Sequence, residues 1–593
     1  MPGIAGMISR RPAAGCTRTV QAMTESMRHE TFHVAGNLSV PELGVYAGWV
    51  AHENSLSAQN VFQNAARDVA LIFSGENFSG EELVKRCERP GEKFYESLNG
   101  LFAGLLIDRQ ANQVVLFNDR YGVGRLYWHE TAEAFYFASE AKALLRVLPG
   151  LREFDRDGVA QFLGVGTPLG GRTLFRDIRL LPAAARWSFG EGGCRRETYF
   201  SPATWESQAE LSADEYGQAF SATFKKILPR YFSADKKIGI ALTGGLDTRM
   251  LMAAHPHASA RETSYTFTGP EGRTLDDRIA ARVADACGLE HRLLRLGGDF
   301  FQDFAAHADK TIFVTDGMSG ILGAHEIYFH KLARPMAEIR LTGNFGGEIL
   351  RGVSTFKPAG VAPRMLSPEI FPAVNAAGAA LKKLKYNATT FAAFQEVPLS
   401  LFGNLAAGSS QLTFRTPFLD NELVALAYRR PGSLEKSPLP AIRMIKSCSP
   451  ALDRIPTDRG FISDRRGPDI FFRRALAEVT FKMDYCSNAG LPRQLAVLDP
   501  VFKPVVRALG IAGMHKFLKY STWLRGPLAP FVTERLAAVK ENANRFWNTA
   551  GLAETFHAHL NGKNDFPAEI NAALTLEAVE RLLFRDLPRR LDT

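Results

Sequence analysis

The sequence predicts a two-domain α/β protein with a β-rich first part, a parallel α/β second part and a helical C-terminal region. Three observations carry this. Residues 69–140 alternate short apolar runs with polar turns, the pattern of packed strands. From about Lys236 onward, apolar strand-length runs are each followed by a helical period, the mark of a parallel sheet. Beyond Pro440 the chain reads as amphipathic helix punctuated by Pro and Gly, with no strong strand signal.

In chain order, strands are expected at 69–73, 101–107 and 114–117, the last two joined through residues 109–112, and at 135–138. The stretch from Thr198 to Glu215 is polar, carries Pro202 and reads as a linker. A buried strand follows through Ile238, Ile240 and Leu242, then a helix over 248–254, a strand over 264–268 and a helix over 278–287. Ile279, Val283 and Ala286 lie at helical spacing and suit its core face. Four C-terminal helices are expected over 471–481, 501–509, 531–549 and 567–584. There is no internal repeat and no low-complexity tract.

Composition bounds the function classes. A chain of 593 residues, 46% hydrophobic and 22% charged, is long and apolar enough for sizeable cores, which excludes disordered, collagen-like and coiled-coil classes. Seventy-one basic against 62 acidic residues leave +9, a mild excess that does not argue for nucleic acid. The short basic clusters at 382–385 and 585–590 read as solvated helix faces. Cys16, Cys87, Cys194, Cys287, Cys448 and Cys486 show no CxxC spacing, so reduced and mostly buried thiols are expected rather than a zinc site or disulfides. No apolar stretch reaches the length of a membrane span and the start lacks a secretory layout, so the expected address is cytoplasmic.

The most informative segment is Lys236-Lys-Ile-Gly-Ile-Ala-Leu-Thr-Gly-Gly-Leu-Asp-Thr-Arg-Met250. A strand ends near Leu242, Thr243-Gly244-Gly245 bends the chain, and Leu246-Asp247-Thr248 leads into a helix. Glycines let backbone approach an anion, helix-start N–H groups and Thr hydroxyls donate to phosphate, and Asp247 can hold a magnesium ion. The Walker spacing and its Lys are absent.

The Thr243 to Thr248 string resembles the SGGLDS pyrophosphate loop of enzymes that activate a substrate with ATP, releasing pyrophosphate and leaving an AMP ester. Further strings make the resemblance specific to the asparagine synthetase superfamily. Pro2-Gly-Ile-Ala-Gly6 looks like the CGIAG start of its glutaminase domain, and Ser74-Gly75-Glu76-Asn-Phe78 looks like NGEIYN. Asn118-Asp-Arg-Tyr-Gly-Val-Gly-Arg-Leu-Tyr-Trp128 and Phe137-Ala-Ser-Glu-Ala-Lys-Ala-Leu144 resemble RDRFGIKPLYY and FASEIKAL. Arg415-Thr-Pro-Phe-Leu-Asp420, then Leu560-Asn-Gly-Lys563 with Leu574-Thr-Leu-Glu577, extend the likeness almost to the end. The resemblance implies an Ntn-type αββα sandwich, glutaminase-like, over 1–200. It also implies an adenine-nucleotide hydrolase-like synthetase domain with a helical end over 215–593.

This chain departs from the family pattern at the glutaminase nucleophile. The family has Cys after the initiator Met; Pro2 stands there and has no nucleophilic side chain. Gly48-Trp-Val-Ala-His-Glu53 offers no Arg for a glutamine carboxylate, the SDTE string is not recognisable over 79–98, and Ser74 replaces an Asn while Gly75 and Glu76 remain. The first domain is therefore expected to be a scaffold without glutaminase activity.

In the second domain the resemblance gives Asp247 the metal role and Thr243 to Thr248 the pyrophosphate role, and it places Leu242 and Phe267 against adenine or ribose. His291 also matches a family position, although a lone His is more often packed than catalytic. Leu341-Thr342-Gly343-Asn-Phe-Gly-Gly-Glu348-Ile-Leu-Arg-Gly352 resembles SGDGGDELFGG, with Thr342 and Gly343 contacting ATP. Ungapped, Asn344 replaces an acidic residue and Gly347 the metal Asp, whereas a one-residue shift puts Glu348 on that Asp; either way Glu348, the one carboxylate left in this loop, is assigned to metal or acid/base work. The family's K-x-G-F string appears as Asp458-Arg459-Gly-Phe461, leaving Arg459 to neutralise charge on the transferred group or to pair with Asp458.

The expected function is an ATP- and Mg2+-dependent ligase that adenylates a carboxylate and passes it to an amine or ammonia without hydrolysing glutamine. The carboxylate would come from natural-product, peptide or surface-polysaccharide biosynthesis, and Thr248-Arg249 in place of Ser-Ser would mark a divergent acceptor. A homodimer or a partner biosynthetic protein stays open. The alternative from another class is a non-catalytic nucleotide-binding subunit with the same fold.

Overall fold

The computed structural model describes residues 2–591 except 12–14, 54, 60, 80–82, 84–92, 256–258, 271, 357, 359, 461–467, 490, 492–498, 516, 542–545 and 589–590. Cys87, Phe461, residues 589–590 of the last basic cluster, residues 542–545 of an expected helix and most of the 79–98 stretch lie outside the described residues.

Two antiparallel six-stranded sheets build the first part. One runs, edge to edge, Arg179–Leu180, Tyr127–Glu130, Ala134–Ala138, Gly3–Ser9, Val45–His52 and His33–Val40. The other runs Gly193–Thr198, Ala185–Gly190, Gln113–Asn118, Phe102–Asp108, Val69–Gly75 and Phe62–Gln63. Period-two alternation explains their stacking: Ala103, Leu105 and Ile107 share a core with Ile4, Ala47 and Phe137 of the facing sheet. Phe102 and Leu106, on the opposite face, pack with Phe94 and Tyr95 of the helix Lys93–Ser97. The helices Gly15–Ser26 and Ala141–Val147 cover the outer face of the other sheet through Met23, Ala141 and Leu144. The layers are thus helix, sheet, sheet, helix.

The expected strands at 69–73, 101–107, 114–117 and 135–138 all form. The three strands before residue 53 were not anticipated. His33–Val40 is an edge strand with much of its length exposed, and Gly3–Ser9 carries small residues of weak strand propensity; pairing on both sides holds it in place, with Val45–His52 and Ala134–Ala138.

The second part holds a five-stranded parallel sheet ordered His291–Arg295, Glu262–Thr268, Ile238–Ala241, Ile339–Thr342 and Thr413–Arg415. The chain first winds outward from Ile238–Ala241 in one direction and then resumes on its other side at Ile339–Thr342. That reversal opens a crevice beyond the carboxyl ends of these two strands, where α/β sheets place their ligands. Helices surround the sheet, and the last described stretch is helical, with Pro468–Ala489, Asp499–Ala508, Ala529–Glu541, Thr549–Leu560 and Pro567–Val579. No described helix is long and apolar enough to cross a membrane.

The cysteines depart from expectation. Among those described only Cys16 is buried; Cys194, Cys287, Cys448 and Cys486 are half-buried, and none of the five is in a disulfide.

Candidate active site

The central strand ends at Ala241, and the helix Leu246–Ala254 starts at the glycine turn, so Thr243, Gly244 and Gly245 lie at the mouth of the crevice. Thr248 Oγ1 lies 3.2 Å from Thr243 Oγ1 and 3.4 Å from the Thr243 amide, which ties the turn together. The Gly244 N–H donates to Asp276 Oδ1 at 2.6 Å, so this backbone donor is already aimed at an anionic oxygen. Asp276, near the start of the helix Leu275–Ala286, is thereby a partner of the turn.

The second glycine loop comes from the neighbouring strand. A Cβ built on Gly343 would fall 2.7 Å from the Thr248 amide, and one on Gly346 would fall 2.5 Å from Asp247 Cγ. Only Cβ-less residues allow the two loops this approach. Thr342 Oγ1 donates to Asn344 Oδ1 at 2.9 Å and fixes the bend. Phe345 sits at φ +74°, a left-handed conformation costly for an aromatic residue, with its ring buried in the core.

Arg351, at the end of the short helix Gly346–Arg351, forks onto Asp247 with Nη1–Oδ1 at 2.9 Å and Nη2–Oδ2 at 3.2 Å. The sequence reading missed this residue; its position four after Gly347 on a helical turn is the signal that could have found it. Glu348 is buried, accepts from Thr355 Oγ1 at 3.0 Å, and burial pushes its carboxyl up to about 7, with Glu396 and Asp247 adding repulsion. Glu396 accepts the amides of Thr355 and Phe356, each at 2.7 Å.

The residues present do not fit a magnesium ion as they stand. Both oxygens of Asp247 accept from a guanidinium, and among the described residues no three His, Cys, Asp or Glu side chains converge to hold a metal.

The segment around residues 455–460 packs on the glycine turn, its Asp458 amide donating to the Gly244 carbonyl at 3.2 Å. Arg249, buried to 2% exposure, donates to the carbonyls of Ile455, Pro456 and Gly244. It clamps this segment to the turn. Arg459 turns to the helix Pro468–Ala489, pairing with Glu478 at 3.0 Å and lying over the Phe481 ring, with Asp458 3.9 Å away. The structure therefore does not bring Arg459 to Asp247. Phe267 is half-buried, its ring stacked on Phe329 at 4.5 Å and under Arg340. Leu242 is buried at the strand end, its carbonyl accepting from Thr266 Oγ1. His291 lies beside Ser264 Oγ at 2.9 Å, and burial lowers its pKa.

Pro2, Ser74, Gly75 and Glu76 line one cavity of about 480 Å³ between the sandwich and the synthetase part. Arg415, at the end of the last parallel strand, forks onto Glu76 with Nε–Oε2 at 2.9 Å and Nη2–Oε1 at 2.6 Å. The remainder of the wall is largely apolar, including Phe402, Leu405 and Phe414. A fork of this kind holds the Glu76 carboxylate against the synthetase part.

An asparagine synthase family model matches residues 219–441, and a glutamine amidotransferase domain model matches residues 71–200. The chain is 22% identical to glutamine-hydrolysing asparagine synthetase 3 of Bacillus subtilis over 334 residues, covering 49% of this chain and 53% of that protein. It is 25% identical to asparagine synthetase 3 of Arabidopsis thaliana over 298 residues, covering 44% and 46%. The chain thus spans about half the length of the curated relatives it matches. Among solved structures, the glutamine phosphoribosylpyrophosphate amidotransferase from B. subtilis aligns with a TM-score of 0.22 at 12% identity, over 49% of this chain and 65% of that one.

Proposed function

The chain belongs to the asparagine synthetase superfamily, and from that premise we propose that it is an ATP-dependent ligase that adenylates a carboxylate and forms an amide without hydrolysing glutamine. The observation that carries this reading is the meeting of the two glycine loops at the switch point of the parallel sheet, where Gly343 and Gly346 lie against Thr248 and Asp247. A polyphosphate seated there would take over the Gly244 N–H from Asp276, and the Thr243 and Thr248 hydroxyls would donate beside it. Glu348, held near neutrality by burial, could exchange a proton with an attacking amine. Arg459 would need to leave Glu478 to reach the transferred group, which makes Glu348 the stronger catalytic assignment.

The absence of glutaminase activity has two independent supports. Pro2 offers no thiol, and Glu76 is occupied by Arg415. Nitrogen would then come from ammonia or from an amine-bearing substrate. The divisions at 1–200 and 215–593, and a cytoplasmic natural-product, peptide or surface-sugar role, remain part of this proposal.

The test is ATP/pyrophosphate exchange against a panel of amino acids, peptides and sugar acids, with Asp247→Ala as control. Exchange with one acid that vanishes in the variant is expected. The second reading, a nucleotide-binding subunit without turnover, is favoured by the pairing of Asp247 with Arg351. ATP binding with no exchange for any acid would select it.

A further inference from the structure

We propose that Arg351 is a built-in cation standing where a divalent metal would sit on Asp247, so that the paired glycine loops bind a polyphosphate without magnesium. The inference rests on the nucleotide-binding reading above and concerns what supplies positive charge at that site.

Three features point the same way. The Arg351 guanidinium meets both oxygens of Asp247, at 2.9 and 3.2 Å, so a metal approaching this carboxylate would meet a resident cation. A Cβ on Gly347 would lie 2.9 Å from Arg351 Nη2, so a side chain at 347 and the guanidinium compete for one space. With glycine at 347 the guanidinium keeps its place on Asp247 without yielding to a side chain there. Lastly, a Cβ on Gly346 would fall 2.5 Å from Asp247 Cγ, so the carboxylate is seated against bare backbone in the position the fork requires.

The guanidinium has five N–H donors, and the fork uses two of them. Arg351 and Asp247 are 19% and 21% exposed, so the pair opens to the crevice rather than being sealed in the core. A planar donor set held rigid by one carboxylate is preorganised for phosphate oxygens, which accept from Arg in the same geometry. Asp247 then positions Arg351 instead of ligating a metal.

The experiment is calorimetric titration of the full chain with ATP, once in EDTA and once in excess magnesium. The wild type is expected to bind with affinities within about threefold in the two buffers. Arg351→Gln is expected to weaken binding in EDTA by about tenfold or more and to make binding magnesium-dependent. Arg351→Lys, which keeps the charge and loses the fork, serves as the second variant and is expected to fall between. The paired variant Gly347→Asp with Arg351→Gly is expected to bind ATP in magnesium alone. Wild-type binding that requires magnesium overturns the inference and leaves the nucleotide reading standing. Arg351→Gln binding in EDTA as tightly as wild type, or more tightly, also overturns it, since Arg351 would then be a plug. ATP binding in no buffer overturns the nucleotide reading and this inference together.

Discussion

Arg415 and Glu76 stand 339 residues apart in the chain and meet as a fork that joins the last parallel strand to the sandwich. Their side chains are 8% and 19% exposed, so the pair is largely withdrawn from water. Arg415 also donates to the carbonyls of Tyr231 and Ser233, at 3.0 and 2.9 Å. One guanidinium therefore holds two domains and a helix end together.

Arg415→Ala is expected to cost about 3 kcal/mol, because it leaves Glu76 and two carbonyls without their donor. Thermal unfolding of Arg415→Ala, Glu76→Gln and the double variant gives the coupling. Strict additivity of the two single changes would show that the fork contributes nothing of its own.

Pro2→Cys is expected not to restore glutamine hydrolysis. The thiol would return, yet Glu76 would remain engaged by Arg415. Glutamate release is the readout, and its appearance in this single variant would mean that the rest of the glutamine site is intact.

Arg249→Ala is expected to destabilise the protein by about 2–4 kcal/mol, since three carbonyls lose a buried donor. Arg249→Lys should recover little, because one ammonium cannot reach the Ile455, Pro456 and Gly244 carbonyls in the same way. Denaturant titration, together with the rate of proteolysis around residues 455–460, checks both. Full stability of the Lys variant would argue against the clamp.

Acid should loosen the contact between the two parts. His33 Nε2 and His52 Nε2 lie 3.0 and 2.9 Å from the carbonyls of Ser410 and Ser409, across the domain boundary. Burial, with Arg334 beside it, pushes His52 down to about 3, and burial lowers His33 as well. The unfolded chain, with His near 6.5, takes up protons that the folded chain refuses. The stability is therefore fully present above 6.5 and is lost as pH falls toward 3, by up to about 1.4 kcal/mol per pH unit for each His. Melting temperature against pH for wild type and His52→Gln should show a shallower acid limb in the variant; identical limbs would remove His52 from the account.

Glu348→Gln is expected to keep the fold and lose most of the exchange activity. Burial already raises the native carboxyl to about 7, and the amide oxygen can accept from Thr355 in its place without a charge to bury. Undiminished exchange in this variant would end the acid/base assignment.

Local order was legible in the sequence. Period-two runs predicted strands at 69–73, 101–107, 114–117 and 135–138, each within two residues of the strand that forms, and the glycine turn with its following helix was placed to within two residues. These features depend on neighbours within a few positions, where side-chain period and turn chemistry act directly. The small-residue strand Gly3–Ser9 escaped notice because its stability comes from two partner strands, not from its own propensity.

What the candidate site does with its charges was decided by tertiary structure. Asp247, Glu76 and Arg249 were each visible as residues in a motif, but their partners Arg351, Arg415 and the carbonyls near 455 lie 104, 339 and about 206 positions away. Sequence by itself determined which groups were present and which backbone turns would present them. Only the packing of the two domains and two loops determined which charges would meet, because an ion pair depends on separation in space, falling off within a few ångströms, and no local period encodes that distance.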